Sequence, residues 1–268
     1  MIDEVKGRLA GGPYEDAEVV PVSSRTGEGL DDLKAALGRA AKATKRQKAS
    51  DSARLPIDRV FTIKGAGTVI TGTLWSGTIS IGDELEVLPS GRISRVRSIQ
   101  IHGESVDRAE AGHRVALNLN ALSTEEVRPG DFLAAPHTVT VTDRFDADFT
   151  YLGIPSSDKP LESGVRVHVS HGTREDHRAN PSHRGRAGFQ ARRESYAQIR
   201  LDEELPVSWQ DHFIVRSYSP VHVIGGGVVL RAHPKRSTTA TPEKIALLDA
   251  LRDGDGDRAA ECAFNLEN

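Results

Sequence analysis

Residues 55–91, LPIDRVFTIKGAGTVITGTLWSGTISIGDELEVLPSG, decide how the rest of the chain is read. Branched and aromatic residues come in short runs, each cut by a turn-forming group: Gly65-Ala66-Gly67, Ser76-Gly77 and Pro89-Ser90-Gly91. Such runs, with no helical period between them, predict strands near 57–64, 68–76 and 83–89. The pattern continues over 92–102, 114–119 and 131–134, with turns at Ala111-Gly112 and Pro129-Gly130-Asp131. Strand signals roughly every 8–12 residues mark a barrel or sandwich. Gly65 and Gly67 permit positive φ in a tight hairpin and let a ligand backbone approach closely. Gly72, inside the following strand, signals a bulge or bend, and Gly82-Asp83 and Gly130-Asp131 are turns that set register. Shaping the barrel also accounts for these glycines.

Toward the C-terminus a second β set covers 138–232, with strands near 139–150, 164–170, 196–201, 211–218 and 226–232. Thr241 then reads as an N-cap with Pro242 at the first helical position, and Ile245, Leu248 and Leu251 fall on one helix face. The tail after Asp253 is polar and carries little signal. Toward the N-terminus, 44–54 is polar and without period, a linker. Before it, Glu18 to Val22 reads as a short strand, Ser23 to Gly29 as a polar turn, and Leu30 to Ala43 as a helix, an α/β pattern. Taken alone, that turn is a common strand-to-helix connection in which Ser24 or Thr26 caps the helix.

Composition narrows the class. With 37% hydrophobic and 27% charged residues in 268, the chain is globular, long enough for about two domains. The net charge of −3 gives no global attraction to nucleic acid, so an RNA-binding surface must be local. A single cysteine, Cys262, excludes an internal disulfide and a cysteine-rich metal site, and suits a reducing, cytoplasmic setting. No apolar run approaches the roughly 18 residues of a spanning helix. His168 and His171 are spaced as two metal ligands on one strand face; a surface strand carrying histidines is commoner, and no third ligand sits nearby.

The stretch 55–136 resembles the second domain of translational GTPases, and KGAGTVITGTLWSG, RVRSIQIHGE and AGHRVALNL resemble the selenocysteine-specific branch of those elongation factors. VRVHVSHGTRE (165–175), YAQIRLDEELPVSWQDHFIVRSYSP (196–220) and IGGGVVL (224–230) are similar to that family's third domain. The resemblance implies a mainly β fold: two consecutive β-barrels, translation-factor domains II and III, preceded by a short α/β remnant of a GTPase domain. The implied division is 1–44 for the remnant, 45–54 for the linker, 55–137 and 138–236 for the barrels, and 237–268 for the start of a truncated winged-helix region. Implied partners are selenocysteyl-tRNA and the ribosome, with the selenocysteine mRNA hairpin engaged only through domains beyond those of this chain.

By the same resemblance, Arg59 and Arg114 line the pocket for the selenocysteyl side chain, with Gly65 and Gly67 beside the tRNA end. A thiol titrates near about 8.5 and a selenol is more acidic, so two arginines would favour a selenolate over serine's neutral hydroxyl. Read from the residues alone, each arginine equally forms a surface ion pair with Asp58, Asp83 or Glu104. Ser23, Ser24 and Arg25 are similar to the last guanine-recognition motif of a GTPase. The intact family uses GTP and Mg²⁺, yet this sequence holds no GxxxxGK[ST] loop, no switch-type DxxG and no NKxD. The expectation is therefore no cofactor and no GTP hydrolysis by this chain alone.

Residues 176–195, DHRANPSHRGRAGFQARRES, depart from the family pattern. A basic loop gripping tRNA phosphates, a solvated disordered insert and a slip of reading frame all fit; the last leaves the third domain short of a strand. The functional readings are a translation factor fragment that delivers selenocysteyl-tRNA at UGA codons, a stand-alone tRNA-binding module, a non-functional fragment, and a general elongation factor.

Overall fold

The structure, a computed structural model, describes residues 1–10, 14–43, 52–63, 67–153, 159–183, 188–191, 193–236 and 241–267. Met1–Lys48 and Ala49–Asn268 form two units. The first holds α1 (Ile2–Leu9) and α2 (Leu30–Ala43), neither of which buries a residue. The strand expected over 18–22 does not form, because a strand needs a hydrogen-bonded neighbour and this unit supplies none among the described residues. Arg39 instead ties the segment to α2 by donating to both carboxylate oxygens of Glu18, at 2.6 and 2.8 Å.

The second unit begins with a curled sheet. Its strands are β1 (Arg54–Ile63), β2 (Gly67–Thr73), β4 (Glu84–Leu88), β5 (Arg92–Ile101), β6 (Glu104–Val106), β8 (Arg114–Leu119) and β9 (Phe132–Ala134). The order is β4-β9-β1-β2-β8-β5-β6, and β5 also pairs with β4, so the sheet returns on itself. The short strands β3 (Thr78–Ser80) and β7 (Arg108–Glu110) pair with one another beside it. Alternation puts Leu55, Ile57, Ile70, Leu85, Val87, Val96, Ile99, Val115 and Leu117 inside, an aliphatic core.

The second β set closes fully, in the order β10-β13-β12-β11-β14-β15 among the described residues. These are β10 (Thr140–Tyr151), β11 (Val167–His171), β12 (Arg174–His183), β13 (Arg193–Val207), β14 (His212–Ser217) and β15 (Val223–Ala232). Phe145, Ala147, Phe149 and Tyr151 project inward from alternate positions of β10 and meet Phe189 and Phe213. Each such ring contributes roughly 1.5–3 kcal/mol on burial. A slipped frame over 176–195 would leave this barrel short of a strand, whereas β12 is in place: it pairs with β11 through Ala179↔Val167 and with β13 through Ala179↔Leu201. Its polar sequence hides it, because the strand's regularity lies in its backbone ladder. Residues 184–187 and 192 of that stretch lie outside the described set.

The barrels are joined by a buried cluster. Arg54 at the start of β1 donates from Nη1 and Nη2 to Asp211, at 2.9 and 2.7 Å, and His171 Nε2 lies 3.1 Å from the same carboxylate. The His171 ring stacks on Phe132 at 5.3 Å and meets the edge of Trp75. Burial pushes the Asp211 carboxyl up, but hydrogen bonds from His171 and Arg54, with their charge, outweigh it and hold the pKa at about 2. His168 and His171 do not share a face. His168 stacks on Tyr218, while His171, three residues on, takes the opposite, buried face with Val167 and Val169. No group of three metal-ligating side chains occurs among the described residues.

After the barrel come α3 (Pro242–Asp253) and α4 (Gly256–Glu267), the second a helix that the polar tail did not predict. Thr241 caps α3 as expected, its hydroxyl accepting from the Lys244 amide at 3.4 Å. The buried face is Leu247, Leu248 and Ala250, whereas Ile245 is exposed. Trp209 Nε1 donates to the Leu251 carbonyl at 3.0 Å and Tyr196 donates to Asp249, which fixes α3 on the barrel. No described helix is long and apolar enough to cross a membrane.

Candidate functional site

The β1–β2 pairing runs regularly from Ile63↔Gly67 to Arg59↔Thr71 and then shifts before Ile57↔Gly72, leaving Asp58 as the extra residue of a bulge. Gly72 answers a close approach: a Cβ there would lie 2.2 Å from the Pro56 carbonyl oxygen and 2.5 Å from Leu55 Cδ2. The irregularity that Gly72 signalled is therefore on the neighbouring strand. It turns Asp58 toward β2 and β8. Thr71 Oγ1 donates to Asp58 Oδ1 at 2.5 Å. Arg114 Nε donates to Oδ2 at 3.1 Å, and Nη2 reaches both oxygens at 2.9 and 3.0 Å and Thr71 Oγ1 at 3.2 Å.

Cross-strand partners Arg59↔Thr71, Thr71↔Ala116 and Ala116↔Gln100 form one row across the sheet, and Arg114 lies two residues from Ala116 on that face. Arg59 and Arg114 are thus brought to the same face. They differ in pairing. Arg114 has the ion pair with Asp58 that its sequence context allowed, whereas Arg59 is exposed and has no partner among the described residues. Arg114 keeps Nη1 unused and its side chain 51% exposed, so a donor edge still faces outward. Beside it lies a recess of ≈ 220 Å³ lined by Thr71, Gln100, His102, Gly103, Arg114 and neighbouring backbone. His102 and Gly103, with φ of 52° and 88°, form the tight turn between β5 and β6 and place the imidazole at the recess.

Gly67, at φ 93°, opens β2 in a conformation that favours glycine, and Gly65 lies outside the described residues. In the first unit, the Ser23 hydroxyl accepts from the Thr26 amide at 3.2 Å, and the Ser23 carbonyl accepts from Gly27. Ser24 and Arg25 are exposed. Neither Ser24 nor Thr26 caps α2, since the helix starts at Leu30. Sequence reasoning missed Thr71, Gln100 and His102 at the recess, and it read Asp58 only as a generic ion-pair partner. The bulge that aims Asp58 at Arg114 is a pairing property with no signature in IDRVFT.

A curled barrel followed by a closed one, with this basic face on the first, is the barrel pair of translation elongation factors. Residues 67–134 match elongation factor Tu domain 2, and residues 152–236 match the beta-barrel domain of the selenocysteine-specific elongation factor. The selenocysteine-specific elongation factor of Desulfomicrobium baculatum is 38% identical over 267 residues, covering 95% of this chain and 42% of that protein. The crystal structure of a bacterial selenocysteine-specific elongation factor, EF-Sec, superposes with a TM-score of 0.76 at 26% identity, over 97% of this chain and 41% of that one. The apo form of translation elongation factor SelB from Methanococcus maripaludis gives 0.75 at 25% identity, over 87% and 53%. The chain belongs to the family of selenocysteine-specific elongation factors. It spans less than half the length of the first of these relatives.

Proposed function

We propose that this chain is the tRNA-facing part of a factor that delivers selenocysteyl-tRNA to the ribosome at UGA codons. The observation that carries the reading is the pair of arginines on one outer face of β1, β2 and β8, one held by Asp58 and the other unpaired among the described residues. Two guanidinium groups against one carboxylate leave a single cation in surplus. A selenolate supplies the missing anion, and a seryl hydroxyl does not. Asp58 fixes the Arg114 fork, while the Thr71 hydroxyl donates to Asp58 and accepts from Arg114, so the fork is oriented before the ligand arrives. A charged hydrogen bond contributes roughly 1.5–3 kcal/mol, a preference of about ten- to a hundredfold for each one formed. Gly67 lets the end of the tRNA approach the hairpin.

GTP and Mg²⁺ belong to the whole factor in this reading, and Ser23, Ser24 and Arg25 form the last part of its guanine site. Replacing Arg114 by alanine tests the assignment. The ratio of affinities for selenocysteyl-tRNA and seryl-tRNA, read from protection of the aminoacyl ester against hydrolysis, should fall about tenfold or more. An unchanged ratio with a folded chain would sink the pocket assignment, and equal binding of both tRNAs by the unaltered chain would favour a general elongation factor.

A further inference from the structure

Where β15 leaves the second barrel, residues 231–236 run under α3 and enclose a second recess, of ≈ 240 Å³. Its walls carry Arg231, Lys235, Arg236 and Lys244, and its floor is Leu247, Leu248 and Leu266. The walls are built. Buried Gln198 donates from Nε2 to Asp146 Oδ1 at 3.1 Å and to the Lys235 carbonyl at 3.2 Å, which pins the basic segment to the barrel. Trp209 and Tyr196 hold α3 over it from the other side.

The charge is one-sided. Four cationic side chains line the recess against one carboxylate, Asp146, which is buried and engaged by Gln198. Arg231, Lys235 and Arg236 form no ion pair among the described residues, although 38 acidic residues are distributed over the chain. Three cations without an ion pair among the described residues, Arg231, Lys235 and Arg236, are costly to gather beside an apolar floor unless an anion joins them. Two guanidinium forks suit the paired oxygens of a phosphate, and the leucines suit the sugar or base attached to it. The volume lies below the roughly 300–1,000 Å³ of drug-sized sites, so one sugar-phosphate unit is the natural occupant.

We propose that this recess binds a phosphate ester, as a free nucleotide or as a phosphate of an RNA chain. The assignment is independent of the Arg59–Arg114 reading. The test is the melting temperature of the full chain with inorganic phosphate, adenosine monophosphate or a short single-stranded RNA of mixed sequence, with RNA affinity followed by fluorescence anisotropy. A phosphate ester should raise the melting temperature. The double variant Arg231→Ala, Arg236→Ala should bind about tenfold or more weakly. For RNA, the slope of log affinity against log salt should drop by about 0.7 for each phosphate that is no longer neutralised. Stabilisation by the mononucleotide alone assigns the free ligand, and by the RNA alone the polymer. The proposal is overturned if no ester stabilises the chain, if inorganic phosphate does so as well as the ester, or if Arg97→Ala with Lys34→Ala, two cations elsewhere, weakens binding equally.

Discussion

The two barrels solve the same closure problem with different materials. The first closes short strands over a core of valine, leucine and isoleucine, and the one buried aromatic among its described residues, Phe132, faces the second barrel. The second closes long strands, up to the 15 residues of β13, around four phenylalanines and Tyr151. The first barrel packs small aliphatic side chains inside and presents a bulge and a polar face on its outside. The second fills its interior with a few large rings, and removing any one of them leaves a large cavity. The difference separates a barrel that carries the arginine face from one that anchors its neighbours.

The sharpest way to break this contrast is to remove a ring. Phe149→Ala should cost about 3–5 kcal/mol, more than the matching truncation Ile99→Ala in the first barrel within its range of about 2–5 kcal/mol, both read from urea melts. Comparable losses would mean that the rings carry no special share of the second barrel's stability.

The joint comes next. Arg54→Ala strands Asp211 and His171 in a buried site, and breaking such a pair costs about 3 kcal/mol. Because folding lowers the Asp211 pKa to about 2 from an ordinary value near 3.9, its stabilisation is present above about pH 4 and is lost as pH falls through about 2. The gap in stability between the unaltered chain and Arg54→Ala should therefore close over that acid window, by roughly 2–3 kcal/mol. A gap that stays constant down to pH 2 would remove Asp211 from the joint's energetics.

Smaller still is the effect of Arg114→Ala on folding. Its pair with Asp58 is about half exposed on the arginine side, so the melting free energy should change by about 1 kcal/mol or less while tRNA discrimination collapses. A large loss of stability would recast the pair as structural. The smallest effect expected is none: GTP should leave the melting temperature unchanged, since the sequence has no phosphate loop, and a rise would show that Ser23, Ser24 and Arg25 suffice to hold the nucleotide.

The contrast between the barrels also governs how far the sequence could be read. The first barrel's strands are legible because each apolar run is closed by a glycine turn, and the aliphatic alternation survives in the letters. In the second, β12 spells REDHRANPSH, with only Ala179 and Pro181 as inward clues, and its place is set by ladders to β11 and β13 that no local pattern encodes. The same limit applies at the candidate site. Arg59 and Arg114 stand out as residues, but the bulge at Asp58 and the turn that brings His102 to the recess are properties of pairing. His171 reads as a surface histidine beside His168, yet strand alternation puts it on the buried face with Val167 and Val169, and α4 forms in a polar tail because Ala259, Cys262 and Leu266 find α3 to pack against.

In the proposed reading, the arginine face of the first barrel tells a selenolate from a hydroxyl. The most direct measurement is the affinity of the Arg59→Ala chain and of the unaltered chain for selenocysteyl-tRNA and seryl-tRNA across pH 4 to 8. The unaltered chain should prefer selenocysteyl-tRNA at neutral pH, the preference should fade in acid as the selenolate is protonated, and Arg59→Ala should show little of it at any pH. A preference that is independent of both pH and Arg59 would rule out selenolate recognition by this face.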